Sequence, residues 1–207
     1  MRLGVITLGH VHAEELEPLT RHFEHIEQLV LDVEPRASIA DHRAELNRAI
    51  DAASADWLLL LREREVIDEP LAIEIAAAME AAKAWGFRIR SIPMYAGKPL
   101  RLGAEEGELR LFHRRHFLRR GELSVQGTVV RLNNALRSIS FDSYATHREQ
   151  LAKTGVPHSG LRHLLLFIRY VLGARTLDAN TLRYLWIEAG FDMERRTPSS
   201  AGAARPR

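Results

Sequence analysis

Five consecutive apolar residues, Trp57-Leu58-Leu59-Leu60-Leu61, run straight into the charged stretch Arg62-Glu63-Arg64-Glu65. The run does not alternate with polar residues, so it reads as a strand buried on both faces, as in a parallel sheet covered by helices on either side. The charges then emerge at the strand's carboxyl end, where open α/β sheets bind ligands. The flanking segments fit the same plan. Leu3–Thr7 reads as a first strand, and Ala13–Phe23 as a helix with Leu16, Leu19 and Phe23 on one face. Gln28–Val33 reads as a second strand carrying Asp32, and Asp41–Ala53 as a helix with Leu46, Ala49 and Ile50 inward. Pro70–Trp85 reads as an Ala-rich helix stopped by Gly86, followed by strands at Phe87–Pro93 and Leu109–His113. Strands alternating with helices predict an α/β layered sheet.

Beyond Gly121 the pattern changes. Glu122–Leu132 reads as strand. Tyr144–Ala152, Leu161–Leu172 and Thr181–Ala189 read as helices, and Thr197–Arg207 has the Ser, Ala, Gly, Pro and Arg content of a disordered tail. The expected organisation is a sheet domain over residues 1–140, a helical subdomain over 141–194 and a tail over 195–207.

Composition narrows the chemistry. The 207 residues contain no Cys, which excludes disulfides, thiolate metal sites and a Cys nucleophile. Formal charge is only +2, although the isoelectric point is about 9.2. Lys occurs only at Lys83, Lys98 and Lys153, so the bases are nearly all Arg, which suits phosphate or carboxylate. So small a net charge does not argue for nucleic acid, and no nucleic-acid partner is expected. The start is too short in apolar residues for a signal peptide, and no run approaches the roughly 20 residues of a spanning helix. The expectation is a cytoplasmic protein, at most peripheral to the inner face of a membrane. The P-loop, dinucleotide-binding and nucleophile-elbow signatures are absent.

Four stretches stand out as candidate sites. Arg62 and Arg64 alternate at a strand end, so both can point one way and hold a diphosphate; the plainer reading is a solvated turn of alternating charge. Arg110–Arg120 interleaves bases and aromatics as single-strand nucleic-acid binders do. There the preferred reading is a strand and turn with Leu109, Leu111 and His113 in the core, flanked by Glu105, Glu106, Glu108 and Glu122. His10 and His12, with His22 and His25 later, lack the spacing partners of a metal site. Leu161–Leu172 is apolar nearly all round, which suits core or homodimer packing first and a membrane interface or protein partner second.

The order of these segments resembles the family 2-type glycosyltransferases, particularly the short bacterial ones related to lipopolysaccharide-core glucosyltransferases. The stretches that carry the resemblance are Ile6-Thr7-Leu8-Gly9-His10, Leu29-Val30-Leu31-Asp32, His42-Arg43-Ala44-Glu45-Leu46-Asn47, Asp56–Glu65, Glu108–Arg114 and Leu166–Asp178. Together they cover roughly residues 3–192 in order. The resemblance implies a GT-A-type sheet, a nucleotide-diphosphate sugar as donor and a hydroxyl acceptor in polysaccharide biosynthesis. It also exposes departures. The two acids of the family's Asp-x-Asp metal motif fall on Arg62 and Arg64, and a cation does not ligate a cation, so no metal and no cofactor are expected. The Asn-Glu of the family's first loop is replaced by Gly9 and His10, or displaced to Glu14, and its later His-Glu has no counterpart around Gly127–Val130. Asp32, Arg43 and Glu65 survive.

Two functions follow from that resemblance. In the first, Arg62 and Arg64 stand in for the metal and stabilise a diphosphate leaving group. Thr7, Asp32 and Arg43 complete the nucleotide-sugar site. Glu65, Glu63 or a carboxylate among Glu105–Glu108 is the base that deprotonates the acceptor. In the second, the site has decayed and the fold serves as an inactive module that binds a protein partner.

Overall fold

The computed structural model describes residues 2–9, 11, 13–31, 42–81, 83–100, 107–119, 123–141, 143–154, 156–157, 160–174 and 178–192. It is mixed α/β and divides into two compact units, residues 1–94 with 104–140 and residues 95–103 with 141–207. The tail expected over 195–207 lies outside the described residues.

In the first unit, β1 (Arg2–Leu8) lies between β2 (His25–Leu31) and β3 (Trp57–Arg62), parallel to both. The sheet continues through β7 (Glu108–His113), β5 (Gly86–Tyr95), β8 (Val129–Phe141) and β4 (Glu65–Val66) in the order β2-β1-β3-β7-β5-β8-β4. β7 runs antiparallel to β3 and to β5. The chain moves one way from β1 to β2 and back past β1 to β3, so right-handed connections must lie on opposite faces. They do. Leu3, Val5, Trp57, Leu59 and Leu61 pack with Leu16, Leu19 and Phe23, and with Leu71, Ile75 and Met79 of α3 (Glu69–Ala81). Ile6, Leu8, Leu58 and Leu60 pack with Leu46, Ala49 and Ile50 of α2 (Arg43–Ala52). Every residue of Trp57–Leu61 is buried, as the unbroken apolar run requires. Each fully buried Leu contributes roughly 2 kcal/mol over an exposed one.

Local chemistry sets the element ends. The first helical segment is a 3-10 turn, Ala13–Leu16, leading into α1 (Glu17–Thr20), with Pro18 in the first turn, where its missing N–H costs nothing. Asp68 caps α3, its side chain accepting from the Leu71 N–H at 3.1 Å. Two expectations are corrected. The helix expected to reach Trp85 ends at Ala81, and Gly86 opens β5 instead of capping a helix. A Cβ at Gly86 would lie 2.8 Å from Leu109 Cδ1 and 2.8 Å from Val125 Cγ2, so glycine is there for close packing. The strand expected over Glu122–Leu132 begins at Val129 and runs on through Asn133 and Asn134 to Phe141. Glu74 of α3 accepts from both their backbone N–H groups (2.7 and 2.8 Å) and both their side-chain amides (3.0 and 2.8 Å).

The second unit contains the two-residue strand β6 (Lys98–Pro99), α4 (Tyr144–Thr154), α5 (Gly160–Ala174), α6 (Ala179–Ala189) and the antiparallel pair β9 (Val156–Pro157) with β10 (Phe191–Asp192). Asp178 caps α6, its side chain accepting from the Asn180 and Thr181 N–H groups. Its interior holds a polar chain. Fully buried His147 bonds the Tyr95 hydroxyl through Nδ1 (2.8 Å) and the Glu188 carboxylate through Nε2 (3.0 Å), with Tyr184 stacked on its ring. Among the described residues, no helix is long and apolar enough to cross a membrane.

Candidate functional site

The chain leaves β1 and β3 in opposite directions, which makes their carboxyl ends the topological switch point of the sheet. The ends of β1, β2 and β3 are tied together there. The Gly9 N–H donates to Leu31 O at 3.0 Å, and the Glu63 N–H donates to Leu8 O at 2.9 Å. Gly9 sits at φ +86°, and a Cβ there would lie 3.2 Å from Glu63 Cβ and 3.3 Å from Glu63 Oε2. The half-buried Glu63 side chain therefore overlies the exit of β1.

The turn after β3 is tight. Arg64 adopts φ +63°, and its carbonyl accepts from the Ile139 N–H at 2.9 Å. This turn folds Glu65 back, so that its Oε2 accepts the Arg62 N–H at 2.8 Å. Glu65 is buried. Its carboxylate receives both arms of the Arg110 guanidinium, at 3.2 Å to Oε2 and 3.0 Å to Oε1, and the Ser91 hydroxyl at 3.3 Å. Arg110 is equally buried, 1% exposed, and also reaches Glu108 Oε2 at 3.1 Å. Burial pulls the Arg110 guanidinium below its ordinary range, and the Glu65 charge opposes that pull. Glu108 in turn accepts from Arg62 Nη2, at 3.1 and 2.9 Å. Four charges thus form a ladder, Glu65–Arg110–Glu108–Arg62, that begins in the core and ends with Arg62 37% and Glu108 49% exposed.

The expected site residues divide. Arg62, Glu63, Arg64 and Glu65 come together at the switch point. Thr7 is adjacent in register but fully buried, and its Oγ1 has no hydrogen-bond partner. Arg43 is engaged elsewhere, donating to the carbonyls of Leu118 and Arg119 and lying 4.8 Å over the Phe117 ring. Asp32 lies outside the described residues, as do His10 and His12. Among the described residues, no group of three or more His, Asp or Glu side chains is placed to hold a metal ion.

Sequence reasoning missed Arg110. Alternation along Leu109–His113 places Arg110 on a polar face, yet β7 sits between β3 and β5, where both faces are covered. A charge on a central strand requires a buried counter-charge, and Glu65, just past the end of the adjacent β3, was the available signal. The other described arginines of the basic run are paired: Arg114 with the Ala53 carbonyl and Asp56, Arg115 with Asp56, and Arg119 with Asp51.

No protein-family model matches the chain, and no curated protein matches it. Among solved structures it is similar to S. aureus TarS 1-349, a glycosyltransferase, at a TM-score of 0.40 and 9% identity, covering 91% of this chain and 71% of that one.

Proposed function

We propose that the chain is a glycosyltransferase-like protein with a GT-A-type sheet, which binds a nucleotide-diphosphate sugar without a metal at the carboxyl ends of β1 and β3. The observation that carries this reading is the position and pairing of Arg62. It stands at the switch point, half exposed, and its partner Glu108 is shared with Arg110. An exposed ion pair is worth about 0–1 kcal/mol. A diphosphate can displace Glu108 from Arg62 cheaply, and Glu108 keeps the Arg110 guanidinium. Gly9 leaves room for the Glu63 side chain against the backbone of the first loop.

Arg110, Ser91 and the Arg62 N–H occupy the Glu65 carboxylate. Glu63 is the carboxylate left at the rim, and transfer to a hydroxyl acceptor would use it as the base. Calorimetry with UDP-, GDP- and dTDP-sugars, in manganese and in EDTA, tests the proposal. Binding that is insensitive to EDTA and lost in Arg62→Ala supports it.

The commitment of Glu65 to a buried ion pair favours a second reading, an inactive relative that binds a protein partner. Absence of nucleotide binding in every condition would leave that reading in place of the first.

A further inference from the structure

The second unit carries an apolar face that nothing in it covers. In α5, Leu164, Ile168 and Leu172 recur every fourth residue with Leu165 beside them, and all four are between 45% and 72% exposed. By helical register they share an arc of about 100°. Single exposed aliphatic residues are ordinary, but four on one arc form a patch of the kind that marks an interaction surface. Its borders differ in chemistry. On one side stands the exposed Arg169. On the other, Phe167 meets Trp186 of α6 edge to face at 5.1 Å, and Trp186 is itself 46% exposed. Arg183 lies 5.4 Å over the Tyr144 ring. With Arg148, Leu182, Trp186 and Ile187 it lines an open pocket of about 730 Å³.

The charges select the occupant. Gly160–Ala174 contains Arg162 and Arg169 and neither Asp nor Glu. A second copy seated on this face by two-fold symmetry would bring Arg169 against another basic border, with no acid on the helix to meet it. An anionic lipid surface meets both demands. It takes the leucines into the acyl boundary, the tryptophan at the interface and the arginines among phosphate headgroups.

We propose that the exposed face of α5, bordered by Trp186 and Arg183, docks on an anionic lipid bilayer. The helix lies in the plane of the interface, with Leu164, Leu165, Ile168 and Leu172 inserted and Arg148, Arg169 and Arg183 at headgroup level.

The test is flotation of the full chain with vesicles of phosphatidylcholine alone and of phosphatidylcholine mixed with phosphatidylglycerol. Binding to the mixed vesicles that falls with added salt is expected. Arg169→Gln should weaken it about fivefold. The double substitution Leu165→Glu and Leu172→Glu alters only exposed side chains, so circular dichroism should be unchanged while binding drops at least about tenfold. Brominated acyl chains should quench fluorescence in the wild type and lose that quenching in Trp186→Phe. Absence of partition, or equal partition of wild type and the double variant, would overturn the proposal. So would a concentration-dependent dimer in sedimentation that the double variant dissolves, which would assign the face to a second copy. Nucleotide-sugar binding is measured without vesicles, so failure of either proposal is seen separately.

Discussion

Replacing Arg110 by alanine leaves the Glu65 carboxylate in the core with only the Arg62 N–H at 2.8 Å and the Ser91 hydroxyl at 3.3 Å. Two guanidinium bonds, at 3.0 and 3.2 Å, disappear together with the opposing charge. Removing one member of a buried ion pair costs about 3–5 kcal/mol, because the survivor is left uncompensated. For a chain of this length that is a fall in Tm of about 10 °C. Trp57 and Trp85 belong to the first unit and Trp186 to the second, so fluorescence-detected melting in a Trp186→Phe background reports the first unit alone. The double change Arg110→Met with Glu65→Leu removes both charges and should recover most of the loss, since apolar replacement of a whole buried pair is often neutral or better. Neutralising Glu65 alone separates a structural from a catalytic role. A base would tolerate Glu65→Gln in folding and lose only turnover, whereas a carboxylate clamped by Arg110 loses stability first. An Arg110→Ala protein that melts within about 1 kcal/mol of wild type would refute the buried pair.

Glu74 offers a pH signature. Burial alone would raise its carboxyl, but the N–H groups of Asn133 and Asn134 outweigh that and hold it below the ordinary 4.5. Its contribution is therefore present above that value and lost as pH falls through the lower folded one, and acid titration of stability should be shallower in Glu74→Gln. Gly9→Ala should cost about 1–2 kcal/mol in chemical denaturation, from the left-handed backbone, and should displace the Glu63 side chain. Burial raises the Tyr95 and Tyr184 hydroxyls well above the ordinary 10.0, with nearby Tyr144 and Glu188 reinforcing the shift at Tyr95 and Glu188 at Tyr184. Ultraviolet titration should find Tyr95 and Tyr184 ionising above the ordinary 10.0, and stability should fall as pH rises past the unfolded value. Glu108→Gln removes the competitor for Arg62 and should tighten nucleotide-sugar binding up to about fivefold by calorimetry; weaker binding would count against the exchange.

The parallel part of the sheet was legible because its signals are local. Trp57–Leu61 is apolar without a break, and Leu46, Ala49 and Ile50 keep a helical spacing. The misreadings came where a distant side chain decides a local outcome. The strand expected to stop at Leu132 continues through Asn133 and Asn134, where Glu74 accepts from their amides. Gly86 looks like a helix stop until Leu109 and Val125 close in on its Cα. Arg110 looks solvent-facing until Glu65 is found beneath it. The candidate site was half legible for the same reason. A strand that leaves the core as Arg-Glu-Arg-Glu announces a place where charge gathers. Which charge meets which depends on β7 lying beside β3, a pairing between residues far apart in the chain.

The ladder at that place has two unlike ends. At the inner end, Glu65 and Arg110 are both out of water, so separating them is costly and their geometry is fixed by folding. At the outer end, Arg62 and Glu108 are wet, and exchanging one anion for another changes little. Glu108 joins the two ends, because it can release Arg62 without becoming uncompensated. The four charges sum to zero, so under the proposed function an arriving diphosphate would meet no excess of positive charge in the ladder. It would meet one guanidinium whose carboxylate partner has somewhere else to go. A divalent metal held by carboxylates would instead bond the diphosphate oxygens directly. Guanidinium binding by exchange should consequently be weaker and more sensitive to ionic strength than metal-bridged binding of the same diphosphate. Affinity would rest on Arg62 and its immediate neighbours, and the inner pair would serve to hold the Arg62–Glu65 turn in place beneath them.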